Sequence, residues 1–295
     1  VLTVEDIVNI ALEHKDDFRA DINEFELRPN GVMFGIKPRL MGVINLSKDS
    51  WYRESVCSTA KTAIKRGEIL SAQGAALVDI GAESTLPKSV LANAKTQLDL
   101  VLPVLKGLVK SKISVSVETY NPQVAKECLQ AGAAIINLTG GKYASTIYDE
   151  IAKQDAGLIL CYLQGVNVRD VSNFNTEDDP IPMLEDYFGK EIENAQSAGV
   201  SKIFIDPGLG FYYKNLIDGE KRVRHQIKVF LNTFRLRRLG WPVCHALPHA
   251  FDYFGEEIRS AESLFAVLAA LSKTSLFRTH EVPKVKAVLD TLNTY

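Results

Sequence analysis

The chain has 295 residues, 46% of them hydrophobic, enough to bury a sizeable core. A formal net charge of −2 points away from nucleic acid and anionic membranes as partners. The four cysteines form no CxxC pair, which speaks against a zinc site or a disulfide framework and suits a reducing cytoplasm, and no apolar run is long enough to cross a bilayer.

Residues 2–21 read as one amphipathic helix. Two short strands around Pro29-Asn30-Gly31 follow, a hairpin placed to plug the bottom of a barrel. Beyond it, β-branched apolar runs alternate with stretches of helical periodicity. The predicted strands are 40–46, 76–82, 113–119, 133–139, 157–163, 202–208, 242–248 and 275–281. Helices are expected over 55–74, 90–110 and 122–132, the last opening on the cap signal Asn121-Pro122, with a final one from Pro283. Residues 167–179 read as a long loop after the fifth strand. The basic residues Lys221, Arg222, Arg224, Arg235, Arg237 and Arg238 read as a solvated helix face.

This alternation predicts a (β/α)8 barrel over 39–295, with residues 1–38 as an N-terminal helix and hairpin capping it. An open doubly wound sheet would carry a glycine-rich GxGxxG turn after its first strand. Here that strand runs into Asn45-Leu46-Ser47-Lys48-Asp49.

A barrel of this kind builds its active site at the C-terminal strand ends. Polar residues expected there include Asn45, Asp79, Glu83, Glu118, Asn137, Gln164, Asp206, His245, Arg278 and His280. Glu118 and Asn137 lie inside apolar runs, where a carboxylate or amide needs a hydrogen-bonding partner such as an amino-heterocycle. Arg278 and His280, two residues apart, share a side of the last strand and are suited as a cationic pair to a phosphate.

Six ordered segments, MGVINLSKDSW, DIGAESTLP, VETYNPQVA, IINLTGG, IDPGLGF and FRTHEV, resemble the dihydropteroate synthase family across about residues 39–290. The resemblance implies a transferase that condenses 6-hydroxymethyl-7,8-dihydropterin pyrophosphate with p-aminobenzoate, or with another nucleophile, releasing pyrophosphate with Mg2+ assisting. It implies a pterin pocket of Glu118, Asn137, Cys161 and Asp206, with Phe211 near the junction of the two substrates. Asn45, Arg278 and His280 would face the pyrophosphate, with Asn45 at the metal. Ser84, Thr85 and Lys88 fall in the second-substrate loop. A homodimer is common in the family, and the apolar segment 260–273 suits such a contact or ordinary packing alike.

The departures from the family pattern lie mostly on the second-substrate side. Glu118 replaces the family's aspartate. Leu86 stands at an arginine position, with Lys88 close by. Ala250 stands at a lysine position, with His249 beside it as the replacement candidate. Two other readings stay open: a pterin-binding homologue without catalysis, and a pterin-dependent methyltransferase. Arg278, His280 and the Asn45 motif argue against the second of these.

Overall fold

The computed structural model describes residues 1–47, 55–83, 93–167, 170–171, 179–211, 216, 218–247 and 250–295. The N-terminal segment is not one helix. Thr3 and Asp6 form a reciprocal cap on α1 (Val4–Glu13), the chain bends at His14, and a single turn follows as α2 (Lys15–Phe18). The antiparallel hairpin of β1 (Phe25–Leu27) and β2 (Val32–Phe34) comes next. Its apolar face packs on the barrel floor, where the Phe25 and Phe34 rings meet Phe204 edge-on at 5.1 and 5.7 Å.

Eight parallel strands follow: β3 (Arg39–Asn45), β4 (Leu77–Gly81), β5 (Val115–Thr119), β6 (Ile135–Leu138), β7 (Gly157–Cys161), β10 (Ile203–Asp206), β11 (Cys244–Ala246) and β12 (Leu276–Thr279). They hydrogen-bond in the order β10-β7-β6-β5-β4-β3-β12-β11, and a parallel bridge between Ile205 and Val243 closes the ring. These strands are shorter than their apolar runs, because the flanking apolar residues turn into the loops and still pack inward. Between β7 and β10, β8 (Gly165–Asn167) and β9 (Asp170–Val171) pair as a small antiparallel hairpin. The expected plain loop over 167–179 is therefore structured at its start.

The outer helices begin where side chains cap them. Thr59 accepts from the Thr62 amide, so α3 runs Ala60–Ala72 rather than from Ser55. Asn93 caps α4 (Ala94–Lys110), and Asn121 with Pro122 opens α5 (Pro122–Gln130). The ring continues through α6 (Ala144–Lys153), α7 (Ile181–Ser197), α8 (Gly219–Asn232), α9 (Phe251–Phe254), α10 (Ile258–Leu271) and α11 (Val282–Leu292).

Only half of the basic cluster is a solvated face: Lys221, Arg224 and Arg238 are exposed. Arg222, Arg235 and Arg237 are buried, and each has fixed acceptors. Arg235 forms a fork with both Asp179 oxygens at 3.0 and 2.8 Å. Arg237 donates to the Ala20 carbonyl at 3.2 and 3.0 Å, and Lys273 donates to the Phe18 carbonyl at 2.7 Å. With Asn23 N–H on the Gly240 carbonyl at 2.8 Å, these bonds stitch the N-terminal segment to the last third of the chain. No described helix is long and apolar enough to cross a membrane.

Candidate active site

Parallel register brings the polar residues of neighbouring strands side by side. Asp79 on β4 is opposite Ser116 on β5, Glu118 on β5 is opposite Asn137 on β6, and Asp206 on β10 is opposite Cys161 on β7. Asp79 is the hub. Its Oδ1 accepts from Ser116 Oγ at 2.6 Å, and its Oδ2 accepts from Asn137 Nδ2 at 3.3 Å and from Arg278 Nε at 2.7 Å. The second arm of the Arg278 guanidinium donates to Glu118 Oε2 at 2.7 Å. Asn137 Oδ1 in turn accepts from the Cys161 thiol at 3.2 Å.

Asp206 is held from two sides. Its Oδ1 accepts the Gly208 amide at 2.8 Å, and the Cys244 thiol hydrogen-bonds to it. Gly208 has φ +75°, and a Cβ there would collide with the Tyr162 carbonyl oxygen, so glycine is required for the turn that aims this amide. Behind the turn, α8 supplies two donors. Arg222 donates to the Phe211 carbonyl and Gln226 Nε2 to the Leu209 carbonyl at 3.1 Å, beside a small void lined also by His225 and Leu216.

Three carboxylates thus share the neighbourhood of one guanidinium in a site largely withdrawn from the surface. Burial raises Glu118 to about 7; Arg278 opposes that rise, and Asp79, Glu83 and Asp206 add to it. Burial also raises Asp206 to about 6, against the Gly208 amide and Arg278, which favour its charge. Burial works against the charge on Arg278, but Asp79 and Glu118 outweigh it and hold the guanidinium firmly protonated. Burial pushes the Cys161 and Cys244 thiols well up, so both are neutral donors. A planar ligand presenting several N–H groups would meet carboxylates here that lack enough positive charge of their own.

Arg278 and His280 do not stand as a cationic pair. Arg278 turns inward to the carboxylates. His280 is buried, and burial with the nearby Arg278 lowers it to about 3, so its imidazole is neutral. Its Nδ1 faces Glu262 Oε1 on α10 at 3.5 Å. Asn45 ends β3 and gives its Nδ2–H to Ser55 Oγ at 2.5 Å. Phe211 is buried against the turn after β10. His245 is fully buried on the outer side of β11, bonded to Thr233 Oγ1 at 2.7 Å and packed on Phe230, which removes it from the rim. Ser84, Thr85, Lys88 and His249 lie outside the described residues.

The structure thus gathers Glu118, Asn137, Cys161 and Asp206 at one end of the barrel with Asp79, which the sequence placed at the rim without a particular role, and adds Ser116 and Cys244. A carboxylate at the centre of the run ALVDIGA was the available signal for Asp79.

A closed parallel barrel with carboxylates, an amide and an arginine at its C-terminal strand ends defines a barrel enzyme for a hydrogen-bonding heterocycle. Residues 41–274 match the family model described as pterin binding enzyme. The dihydropteroate synthase of Streptococcus pyogenes serotype M6 is 32% identical over 208 residues, which cover 69% of this chain and 72% of that protein. The structure of Xanthomonas albilineans dihydropteroate synthase with 4-aminobenzoic acid superposes with a TM-score of 0.77 at 26% identity, covering 92% of this chain and 98% of that one. The same enzyme's complex with 7,8-dihydropteroate, at 24% identity and a TM-score of 0.71 over 91% of this chain and 97% of that one, shares the fold. The chain belongs to the pterin-binding enzymes and, among them, to the dihydropteroate synthase family.

Proposed function

We propose that this barrel condenses 6-hydroxymethyl-7,8-dihydropterin pyrophosphate with the amine of p-aminobenzoate in folate biosynthesis. The observation that carries this reading is the buried group of Asp79, Glu118, Asn137 and Asp206 around Arg278, in a chain of the dihydropteroate synthase family. The amine nitrogen attacks the exocyclic methylene carbon and a C–N bond forms. The C–O bond breaks, pyrophosphate leaves with its electron pair, and the amine nitrogen loses a proton.

Asp206 and Glu118 accept the N–H edges of the pterin ring, and Asn137 supplies both a donor and an acceptor. Phe211 forms an apolar wall where the two substrates meet. Asn45, Arg278 and His280 serve the pyrophosphate, and Arg278 reaches it by leaving one of its two carboxylates once the pterin takes Glu118. Ser84, Thr85, Lys88 and His249 are the proposed contacts of the second substrate.

Among the described residues no group of three or more His, Cys, Asp or Glu could hold a metal. Mg2+ typically takes one or two protein oxygens and completes its shell with water and substrate phosphates. Asn45, whose Nδ2 is given to Ser55, keeps its amide oxygen for that purpose and fits such an ion. Bound there, Mg2+ would supply neutralising charge to the leaving pyrophosphate.

The free thiols suit the cytoplasm. Leu264 and Leu271, exposed and seven residues apart on α10, suit a homodimer contact. The deciding experiment follows pyrophosphate release from the pterin pyrophosphate with Mg2+, with and without p-aminobenzoate. Release that depends on p-aminobenzoate supports the reading, and tight pterin binding without such release overturns it.

A further inference from the structure

We infer that Glu262 on α10 is a positioning residue that fixes His280 with its Nε2–H turned to the leaving pyrophosphate; this rests on the reading just given. The buried face of α10 is otherwise apolar, carrying Ile258, Ala261, Phe265, Ala266 and Ala269. A carboxylate at 262 with 0% exposure is foreign to such a face unless it has partners. Its two oxygens serve consecutive residues at the end of β12. Oε2 accepts from Thr279 Oγ1 at 2.5 Å, and Oε1 faces His280 Nδ1 at 3.5 Å. Arg259 and Glu281, with Nε and Oε1 3.5 Å apart, tie the same helix to the same strand end one step further on.

The proton count follows from burial. An ionised Glu262 beside a neutral ring would be a buried charge that neither the ring nor the Thr279 hydroxyl neutralises, which is costly. A net-neutral pair keeps one proton between Oε1 and Nδ1. Because the ring is neutral, that proton belongs to the Glu262 carboxyl, which donates to Nδ1. The ring's own proton is then on Nε2, so His280 presents a donor to an anion. The 3.5 Å gap is longer than a closed hydrogen bond, as is common in ligand-free active sites, and a small ring rotation closes it when the anion arrives.

The test uses the full chain and three variants. Glu262→Met removes the partner. Glu262→Gln keeps it, because Thr279 holds the amide oxygen and the NH2 then donates to Nδ1, again leaving Nε2 protonated. Thr279→Val removes the strand contact alone. Glu262→Met is expected to lower kcat by about tenfold to a hundredfold with little change in the pterin KM, and Glu262→Gln to restore most of it. Nitrogen-15 NMR of His280 without ligand should show protonated Nε2 in wild type and Glu262→Gln, and a mixed tautomer in Glu262→Met. A bare Nε2 in wild type overturns the inference, as does a kcat loss in Thr279→Val equal to that in Glu262→Met. Should Glu262→Met fail to fold, Glu262→Gln and Thr279→Val still decide it. The NMR result stands apart from catalysis, so a wild type that releases no pyrophosphate counts against the proposed function alone.

Discussion

Arg278 and Glu118 meet at 2.7 Å across the mouth of the barrel, from strands three places apart in the sheet. Because Arg278 also holds Asp79, one guanidinium joins β12, β4 and β5 over the proposed pterin pocket. The extra methylene of Glu118, relative to the aspartate usual in the family, provides reach toward it.

Glu118→Gln should weaken binding of the pterin pyrophosphate by about tenfold to a hundredfold, the size of a lost charged hydrogen bond. Glu118→Asp keeps the charge, pulls it back from Arg278 and should fall between the two. Calorimetric titration checks this, and equal affinity in all three proteins would remove Glu118 from the pocket.

Asp79→Ala leaves Ser116, Asn137 and one arm of Arg278 without their shared acceptor. Breaking a buried charge pair this way costs about 3–5 kcal/mol. Urea denaturation should show the midpoint falling accordingly with an unchanged slope. A midpoint within experimental error of wild type would mean that the hub bears no stability.

The pH dependence of stability carries a sign that the buried carboxylates set. The folded state raises Asp206 from 3.8 to about 6, so it holds this proton more tightly than the unfolded chain does. That contribution is whole below about pH 4 and is lost as pH rises through about 6. Buried histidines run the other way. His245, lowered from 6.5 to about 3 by burial, contributes stability above about pH 6.5 that is lost as pH falls through 3. The difference between wild type and Asp206→Asn isolates the carboxylate. Relative to the variant, ligand-free wild type should lose stability from about pH 4 to 6 and level off above 7. A difference independent of pH would refute the raised value.

Arg222→Met removes the buried donor to the Phe211 carbonyl and should cost about 1–3 kcal/mol. It should also speed amide exchange in 208–211 and raise the KM for the arylamine more than for the pterin. Unchanged exchange there would show that Gln226 alone holds the turn.

The barrel was legible because each of its eight strands is an apolar run followed by a helical period, a pattern that survives errors at every boundary. Glu118 and Asn137 stood out for a related reason, as a charge and an amide within such runs that need a hydrogen-bonding partner, whereas Asp206 came into the pocket through the resemblance to the family. Asp79 has the same signature, but its importance comes from having three partners on three other strands, and only the closed ring creates that neighbourhood. The direction of Arg278 was hidden for the same reason. Proximity on β12 suggested a partnership with His280, whereas the guanidinium finds carboxylates on β4 and β5. Arg222, Arg235 and Arg237 misled because helical spacing says where side chains share a face and nothing about what covers it. Their acceptors are carbonyls and an aspartate from segments as distant as Ala20.

The bonds that fasten the N-terminal segment carry a consequence for how the molecule is made. Arg237 reaches Ala20 across 217 positions, and Lys273 reaches Phe18 across 255. Closing such long loops is entropically slow, and contacts of this separation form late in folding. The segment that carries Phe18 and Ala20 therefore reaches its final contacts only after the last strands and helices of the barrel have formed.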